Sequence, residues 1–220
     1  KELILYFLIR SKKKIRYKQI NSGNKKMHEI KLDILKKINI PINNEDYKLE
    51  VFYDYNKGVI NNIFKKLGIT SKDFIVCIHV GARSGWKTKY WLPDRWAQVA
   101  DHLIKNYKAK IVFIGSSYDD VETQKVINNM KNKAYSLVGR LDIFATTYLL
   151  SKSKLFICTN SGPMNIAAAL NKNLVAISLS SPKFWWAPGP NSYNVSSESC
   201  LSCNKKTCSR YFICRNQITV

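Results

Sequence analysis

The sequence predicts an α/β protein with a doubly wound parallel sheet. Short continuous apolar runs, such as residues 74–78 and 111–114, are typical of strands that are buried on both faces. Between these runs lie stretches whose apolar residues recur at the 3.6-residue period of a helix. Strands and helices that alternate in this way form parallel sheets covered on both sides, and ligands bind such sheets beyond the carboxyl ends of the strands.

The first 70 residues carry a weaker pattern. Residues 30–38 and 59–67 have the apolar spacing of amphipathic helices, and Gly68 is a normal helix stop. Residues 49–53 alternate like a strand. Because the chain begins at Lys1 rather than Met, we expect a piece of a longer protein. Residues 1–70 would be the remainder of an N-terminal domain plus a linker, and residues 71–220 a second domain.

The second domain has a regular order of predicted elements. Pro93 and Pro163 each open a helix, because the first helical position needs no N–H group. The predicted strands are 74–78, 111–114, 134–138, 155–158 and 174–179, and the predicted helices are 93–107, 121–130, 143–150 and 164–170. The loops after the strands, where we expect the chemistry, are 79–89, 115–120, 139–142, 159–165 and 180–190.

The chain is strongly basic, with a net charge of +21, and lysine supplies 29 of its 36 basic residues. Either a coding bias toward lysine or attraction to polyanions would explain this surplus. No RNA-binding signature of basic and aromatic residues is present, so we expect no nucleic-acid partner. The longest apolar run, residues 3–9, is far shorter than the roughly 20 residues of a membrane span. We expect a cytoplasmic protein, with peripheral association at the inner face of the inner membrane as an option.

Residues 159–165 form the most informative loop. Asn160, Ser161 and Gly162 follow a predicted strand and open a predicted helix, whose free N–H groups and dipole favour an anionic ligand. An ordinary strand–turn–helix junction with a Ser or Asn cap would show the same residues. The sequence alone leaves both interpretations open.

Two further loops are candidates for nucleotide contacts. Residues 81–89 place Gly and Ser beside Arg83 and Lys89, a combination that suits either a diphosphate or a solvated surface loop. Residues 115–120 join a Gly-Ser turn to Asp119 and Asp120. An acid here could accept a hydrogen bond from a ribose hydroxyl, although helix capping is the simpler explanation.

An ordered set of motifs resembles the C-terminal domain of glycosyltransferase family 9, over residues 70–215. The motifs are Gly81-Ala82-Arg83, Lys89-Tyr90-Trp91-Leu92-Pro93, the Gly115-Ser116 turn with its acids, Leu137-Val138-Gly139 and Ser161-Gly162-Pro163-Met164. The resemblance implies a GT-B fold, in which two Rossmann-like domains face an active-site cleft. The N-terminal domain would be incomplete in this chain.

The resemblance also implies an activity, the inverting and metal-independent transfer of a sugar from a nucleotide donor, ADP-heptose, to lipopolysaccharide core or a related lipid-linked surface glycan. No D-x-D motif occurs, and no cofactor beyond the nucleotide sugar is expected. The general base is expected in an N-terminal part that this chain does not contain. The implied diphosphate contacts are Ala82, Arg83, Ser84 and Lys89, the implied nucleoside contact is Asp119 or Asp120, and the implied donor-site lining is Asn160, Ser161, Gly162, Met164 and Asn165.

Two positions depart from the family pattern, which usually reads D-S-G-P-M-H. Asn160 replaces the acid and Asn165 the histidine, and an amide can hydrogen-bond but cannot act as an acid or base. An alternative function is therefore a catalytically degenerate relative that still binds nucleotide sugar. A second alternative, from the charge, is a basic protein that binds anionic membranes or nucleic acid.

Four cysteines close to the end of the chain have an open assignment. Cys200, Cys203, Cys208 and Cys214 could surround a structural zinc ion as thiolates, or they could be free thiols. A disulfide does not suit a reducing cytoplasm.

Overall fold

The computed structural model describes residues 29, 33, 36, 53–82, 86–197 and 203–220. Contacts divide the chain into two compact units, Lys1–Tyr47 and Lys48–Val220. In the first unit, Asp33 and Lys36 are helical, as predicted for residues 30–38, whose apolar positions lie outside the described residues. The predicted strand at 49–53 is wrong at its end, because Tyr53 begins a helix; residues 49–52 lie outside the described part.

The second unit contains one six-stranded sheet, and all of its strands run parallel. The strands are β1 (Ile75–His79), β2 (Lys110–Phe113), β3 (Tyr135–Ser136), β4 (Leu155–Thr159), β5 (Leu174–Ile177) and β6 (Ser192–Val195). The helices are α1 (Tyr53–Leu67), α2 (Pro93–Tyr107), α3 (Asp120–Asn129), α4 (Ile143–Lys152), α5 (Gly162–Ala169) and α6 (Ile213–Gln217).

The strand order β3-β2-β1-β4-β5-β6 is that of a Rossmann-like doubly wound sheet. This confirms the predicted α/β fold class and its parallel sheet. Two elements were missed, β6 and α6. The edge strand β6 alternates half-buried and exposed positions and includes Ser192 and Asn194, so it lacks the continuous apolar run that marks a central strand.

Helices cover both faces of the sheet, because successive strand side chains point to opposite sides. Ile75 and Cys77 of β1 face a hydrophobic cluster that also receives residues of α1, α4 and α5. Val76 and Ile78 face a second cluster, shared with α2, α3 and α6. Ile60 of α1 is fully buried in the first cluster, so this helix packs with the sheet. The assignment of residues 1–70 to another domain stays a prediction.

The last residues of the chain fold back onto the second face. Trp91 donates a hydrogen bond from Nε1 to the carbonyl of Ile218 at 3.3 Å, and Arg95 donates from Nη1 to that of Asn216 at 2.8 Å. The guanidinium thus satisfies carbonyls at the end of α6, which have no partner within the helix. Within the described ranges, no helix combines the length and the apolar character needed to cross a membrane.

Candidate functional site

The centre of the sheet places two loops side by side at its carboxyl edge. Strands β1 and β4 are neighbours, and from them the chain turns in opposite directions, β1 toward β2 and β4 toward β5. Such a switch point opens a crevice between the two loops, which is where ligands bind in open α/β sheets. His79 ends β1, and Asn160 and Ser161 follow β4, so these residues define the crevice.

His79 connects three loops at this crevice. Its Nδ1 lies 3.0 Å from Ser161 Oγ, after β4, and its Nε2 lies 3.4 Å from Asp119 Oδ2, after β2. The imidazole is buried, with 4% exposed. The sequence does not reveal this role, because the two partners of His79 lie 40 and 82 positions away along the chain.

Asp119 is a buried carboxylate rather than an open one. Its Oδ2 accepts hydrogen bonds from the Ser116 backbone N–H and from Ser116 Oγ, both at 2.8 Å. The Ser116 side chain in turn accepts from the Asp119 backbone N–H, which completes a capping box. Burial opposes ionisation, but the hydrogen bonds and charge of His79, together with those from Ser116, outweigh it and lower the pKa of Asp119. The helix-cap interpretation is confirmed. A nucleoside contact by Asp119, or by the exposed Asp120, stays a prediction.

Two glycines make room for this carboxylate. A Cβ added at Gly81 would lie 1.8 Å from Asp119 Oδ1, and one added at Gly115 would lie 2.8 Å from Oδ2. Gly115 also has a φ of 153°, which L residues rarely adopt. Glycine is therefore required at both positions by the close approach of Asp119.

The amino end of α5 is open to solvent beside the crevice. Gly162 is exposed, and a Cβ added there would meet nothing within 4 Å. Free N–H groups and the helix dipole at such an end favour an anion. Asn165 is exposed on the same helix, whereas Met164 is 1% exposed and packs in the first cluster. The Met164 side chain thus supports this end of the helix from the core, and only its backbone remains for a ligand.

Asn160 has a structural task that an acid could not perform. It is 8% exposed, and its Nδ2 donates a hydrogen bond to the carbonyl oxygen of Trp185, in the loop after β5. A carboxylate has no proton to donate at neutral pH, so aspartate at this position would face the carbonyl with like partial charge. Asparagine at position 160, where the family pattern has an acid, therefore suits the Trp185 loop that it contacts.

We expect Asn160→Asp to lower the free energy of unfolding by about 2 kcal/mol, because it replaces the donor to the Trp185 carbonyl with a buried carboxylate. Chemical denaturation at pH 7 measures the change. The matched control is Asn165→Asp, the same chemical change at an exposed position of α5, which should stay within about 0.5 kcal/mol of the parent. Equal stability of the two variants would contradict the structural role of Asn160.

Lys89 lies in a short 3₁₀ turn, Lys87–Lys89, that is anchored to neighbouring loops. The buried Thr88 hydroxyl donates to the carbonyl of Lys205 and accepts from Ser180 Oγ at 3.0 Å, and Tyr90 donates to the carbonyl of Ala82 at 3.1 Å. Lys89 Nζ lies 4.7 Å from the centre of the Trp86 ring. These contacts hold the turn at the carboxyl edge. Arg83 and Ser84 lie outside the described residues.

For the four cysteines close to the end of the chain, zinc ligation and free thiols both stay predictions. Cys208 Sγ accepts hydrogen bonds from the backbone N–H groups of Arg210 and Phe212, both at 3.3 Å, and Cys214 is buried in the second cluster. In the part of the chain that the structure describes, no three His, Cys, Asp or Glu side chains are grouped as metal ligands. Cys200 lies outside that part.

Solved structures with this fold include three bacterial proteins. One is the glycosyl transferase family 9 protein of Veillonella parvula DSM 2008. The match covers 80% of this chain and 50% of the Veillonella chain, at 20% identity and a TM-score of 0.71. For Escherichia coli ADP-heptose LPS heptosyltransferase II, the match covers 70% of this chain and 47% of the E. coli chain, at 21% identity and a TM-score of 0.59. For E. coli heptosyltransferase WaaC with ADP-2-deoxy-2-fluoro heptose, the match covers 77% of this chain and 49% of the WaaC chain, at 13% identity and a TM-score of 0.50.

The chain thus spans about half the length of the solved structures it matches. A comparison with curated protein sequences gives no match. The sequence model of glycosyltransferase family 9 (heptosyltransferase) matches residues 38–212, which is most of the chain. These residues contain every loop of the crevice, and the chain belongs to glycosyltransferase family 9.

Proposed function

We propose that this chain forms the donor side of a glycosyltransferase that moves heptose from ADP-heptose to lipopolysaccharide core or a related lipid-linked surface glycan. Two similar structures are heptosyltransferases, one an ADP-heptose LPS heptosyltransferase and the other with ADP-2-deoxy-2-fluoro heptose. The observation that carries the proposal is the open amino end of α5 beside the switch point, where Ser161 and Gly162 can meet the diphosphate. A location on the cytoplasmic side of the inner membrane is part of the proposal.

The proposed chemistry is an inverting displacement. The acceptor hydroxyl attacks the anomeric carbon, the bond from that carbon to the diphosphate breaks, and a general base outside residues 71–220 takes the hydroxyl proton. Positive charge from Lys89 and the helix end would stabilise the departing ADP, which is negatively charged. Metal independence is also a proposal, supported by the absence of a D-x-D motif from the sequence.

The nucleotide part is tested by thermal unfolding of this chain with ADP, UDP, GDP or CDP. A ligand present at 100 times its dissociation constant should stabilise the chain by about 2.7 kcal/mol. We expect a shift with ADP that exceeds the shifts with the other three. No shift with any diphosphate would contradict a donor site formed by this chain.

We expect Lys89→Ala to weaken ADP binding by about tenfold to 100-fold, since it removes a charge-assisted hydrogen bond to phosphate. Calorimetric titration measures the affinity. Lys87→Ala is the matched control, because this exposed lysine belongs to the same turn, and its affinity should change less than about threefold. If both variants lose affinity equally, general positive charge rather than a Lys89 contact holds the nucleotide.

A catalytically degenerate relative is the second candidate, favoured by the donation from Asn160 to the Trp185 carbonyl. In this case the protein binds the nucleotide sugar without transferring it. The test measures heptose transfer by the natural protein that contains this chain. It compares this activity with that of the same protein carrying Asn160→Asp/Asn165→His. Activity only in the variant would favour degeneration, whereas activity in the parent would exclude it.

A further inference from the structure

Lysine side chains collect at the amino edge of the sheet, the end opposite the crevice. Eleven of the eighteen lysines described between residues 53 and 220 lie in the last turn of a helix, in a helix-to-strand connection or at a first strand position. We call these residues the basic edge. They are Lys65, Lys66, Lys72, Lys105, Lys108, Lys110, Lys131, Lys133, Lys152, Lys154 and Lys172.

Members of the basic edge that belong to different connections lie close together. The backbone N–H of Lys110 donates to the carbonyl of Phe74 and that of Lys154 to the carbonyl of Ile75, both at 2.9 Å, so the two lysines flank the start of β1. Burial, and then repulsion by Lys154 and Lys152, lower the pKa of the Lys172 amine. Like charges are therefore crowded along this edge.

Little acidic charge lies among these lysines. The same segments contain no arginine and one acid, Asp73, whose carboxylate accepts hydrogen bonds from the Thr70 N–H at 2.6 Å and from Thr70 Oγ1 at 2.8 Å. Asp101 of α2 also reaches the edge, where it accepts from the backbone N–H groups of Lys131 and Asn132. The carboxyl edge, in contrast, mixes basic and acidic residues, among them Asp94, Asp119, Asp120, Glu122 and Asp142.

Helix dipoles explain part of this distribution. A cation is favoured in the last turn of a helix, which accounts for Lys65, Lys66, Lys105 and Lys152. It does not account for the seven in the connections and at the strand starts. A coding bias toward lysine has no physical reason to favour one end of the sheet, so the placement itself calls for a function.

We propose that the basic edge docks this domain on an anionic phospholipid bilayer. Lysines near such a surface contribute about 1 kcal/mol each. The edge follows consecutive connections along one end of the sheet, which suits a plane better than a groove. Tyr107, 59% exposed among these lysines, has the amphipathic ring that is enriched at membrane–water interfaces. Arginine forks, which nucleic-acid sites favour, are not part of this set.

Membrane docking and nucleotide binding would use opposite ends of the sheet, so docking is independent of the donor site. Nucleotides are proposed to bind at the carboxyl edge, whereas lipid would contact the amino edge, so both can be occupied at once. This inference therefore does not rest on the proposed transferase activity. ADP should leave the affinity for vesicles unchanged, and vesicles should leave the affinity for ADP unchanged.

The test measures cosedimentation with vesicles of phosphatidylcholine alone and of phosphatidylcholine mixed with phosphatidylglycerol. We expect binding only to the mixed vesicles, and its loss near 1 M salt, where the Debye length falls to about 3 Å. The variant Lys72→Glu/Lys133→Glu/Lys154→Glu should bind roughly 100-fold more weakly. The control Lys57→Glu/Lys205→Glu/Lys206→Glu makes the same charge change at exposed lysines outside the edge, and should lose less than about fivefold.

Three results would overturn the proposal. The first is no binding to the mixed vesicles, and the second is an equal loss in both triple variants, which would indicate net charge alone. The third is tighter binding to RNA than to the mixed vesicles, lost in the edge variant, which would assign the surface to nucleic acid. Thermal unfolding of each variant, with and without ADP, shows that a loss of binding does not come from unfolding.

Discussion

Gly81→Ala should lower the free energy of unfolding by about 3 kcal/mol or more, because the new methyl group occupies the place of a carboxylate. The added Cβ would lie 1.8 Å from Asp119 Oδ1 and 2.4 Å from Asp119 Cγ. Asp119 cannot retreat without losing its bonds to Ser116 and His79. Equilibrium denaturation measures the change.

Two further variants separate this steric effect from an ordinary glycine effect. Gly58→Ala replaces an exposed glycine inside α1 that has nothing within 4 Å of its added Cβ, and should stabilise by up to about 1 kcal/mol. In a protein that already carries Asp119→Ala, Gly81→Ala should be much less destabilising, because the clash is gone. Additive losses in the double variant would show that Asp119 is not the obstacle.

Asp119→Ala should destabilise the protein by about 3 kcal/mol, since it removes the partner of a buried histidine and of the Ser116 N–H. The adjacent Asp120→Ala provides a matched control at an exposed position of the first turn of α3. It should change stability by less than about 1 kcal/mol, the usual size of a helix-dipole interaction. Denaturation at pH 7 measures both, and equal losses would contradict the buried network.

The effect of pH on Asp119→Asn has a definite sign. The pKa of Asp119 is lowered in the folded state, so ionisation of this carboxyl stabilises the fold above the unfolded value of about 3.9. This stabilisation is lost as pH falls through the lower, folded value. The stability difference between parent and variant should therefore shrink as the pH falls below about 4. A difference that grew on acidification would mean that the network stabilises the protonated acid.

The crevice couples stability and ligand binding through one buried connection. Asp119 and Ser161, which come from loops after different strands, are joined through the ring of His79. Loss of Asp119 should therefore also loosen the position of the Ser161 hydroxyl at the amino end of α5. The two glycines that accommodate Asp119, Gly81 and Gly115, belong to the same structural unit.

The pattern of apolar residues was sufficient for the fold class. Continuous apolar runs at β1, β2 and β4 can be buried only if both faces of the sheet are covered, so the parallel sheet followed from the sequence. The polar edge strand β6 and the short helix α6 were missed, because their side chains pack or pair only when the rest of the sheet exists. At Tyr53, the alternation predicted for residues 49–53 was outweighed by the long amphipathic helix that begins there, whose Ile60 enters the core.

The sequence by itself determined the order of β1–β5 and α2–α5, the loops that follow these strands and the motifs of the family, because these depend on the period and type of nearby residues. Only the tertiary structure decided that Asp119 is buried against Gly81, that His79 joins Asp119 to Ser161, that Asn160 donates to the Trp185 loop, and that eleven lysines share one edge. Those contacts join residues tens of positions apart, and it is the winding of the parallel sheet that brings them together.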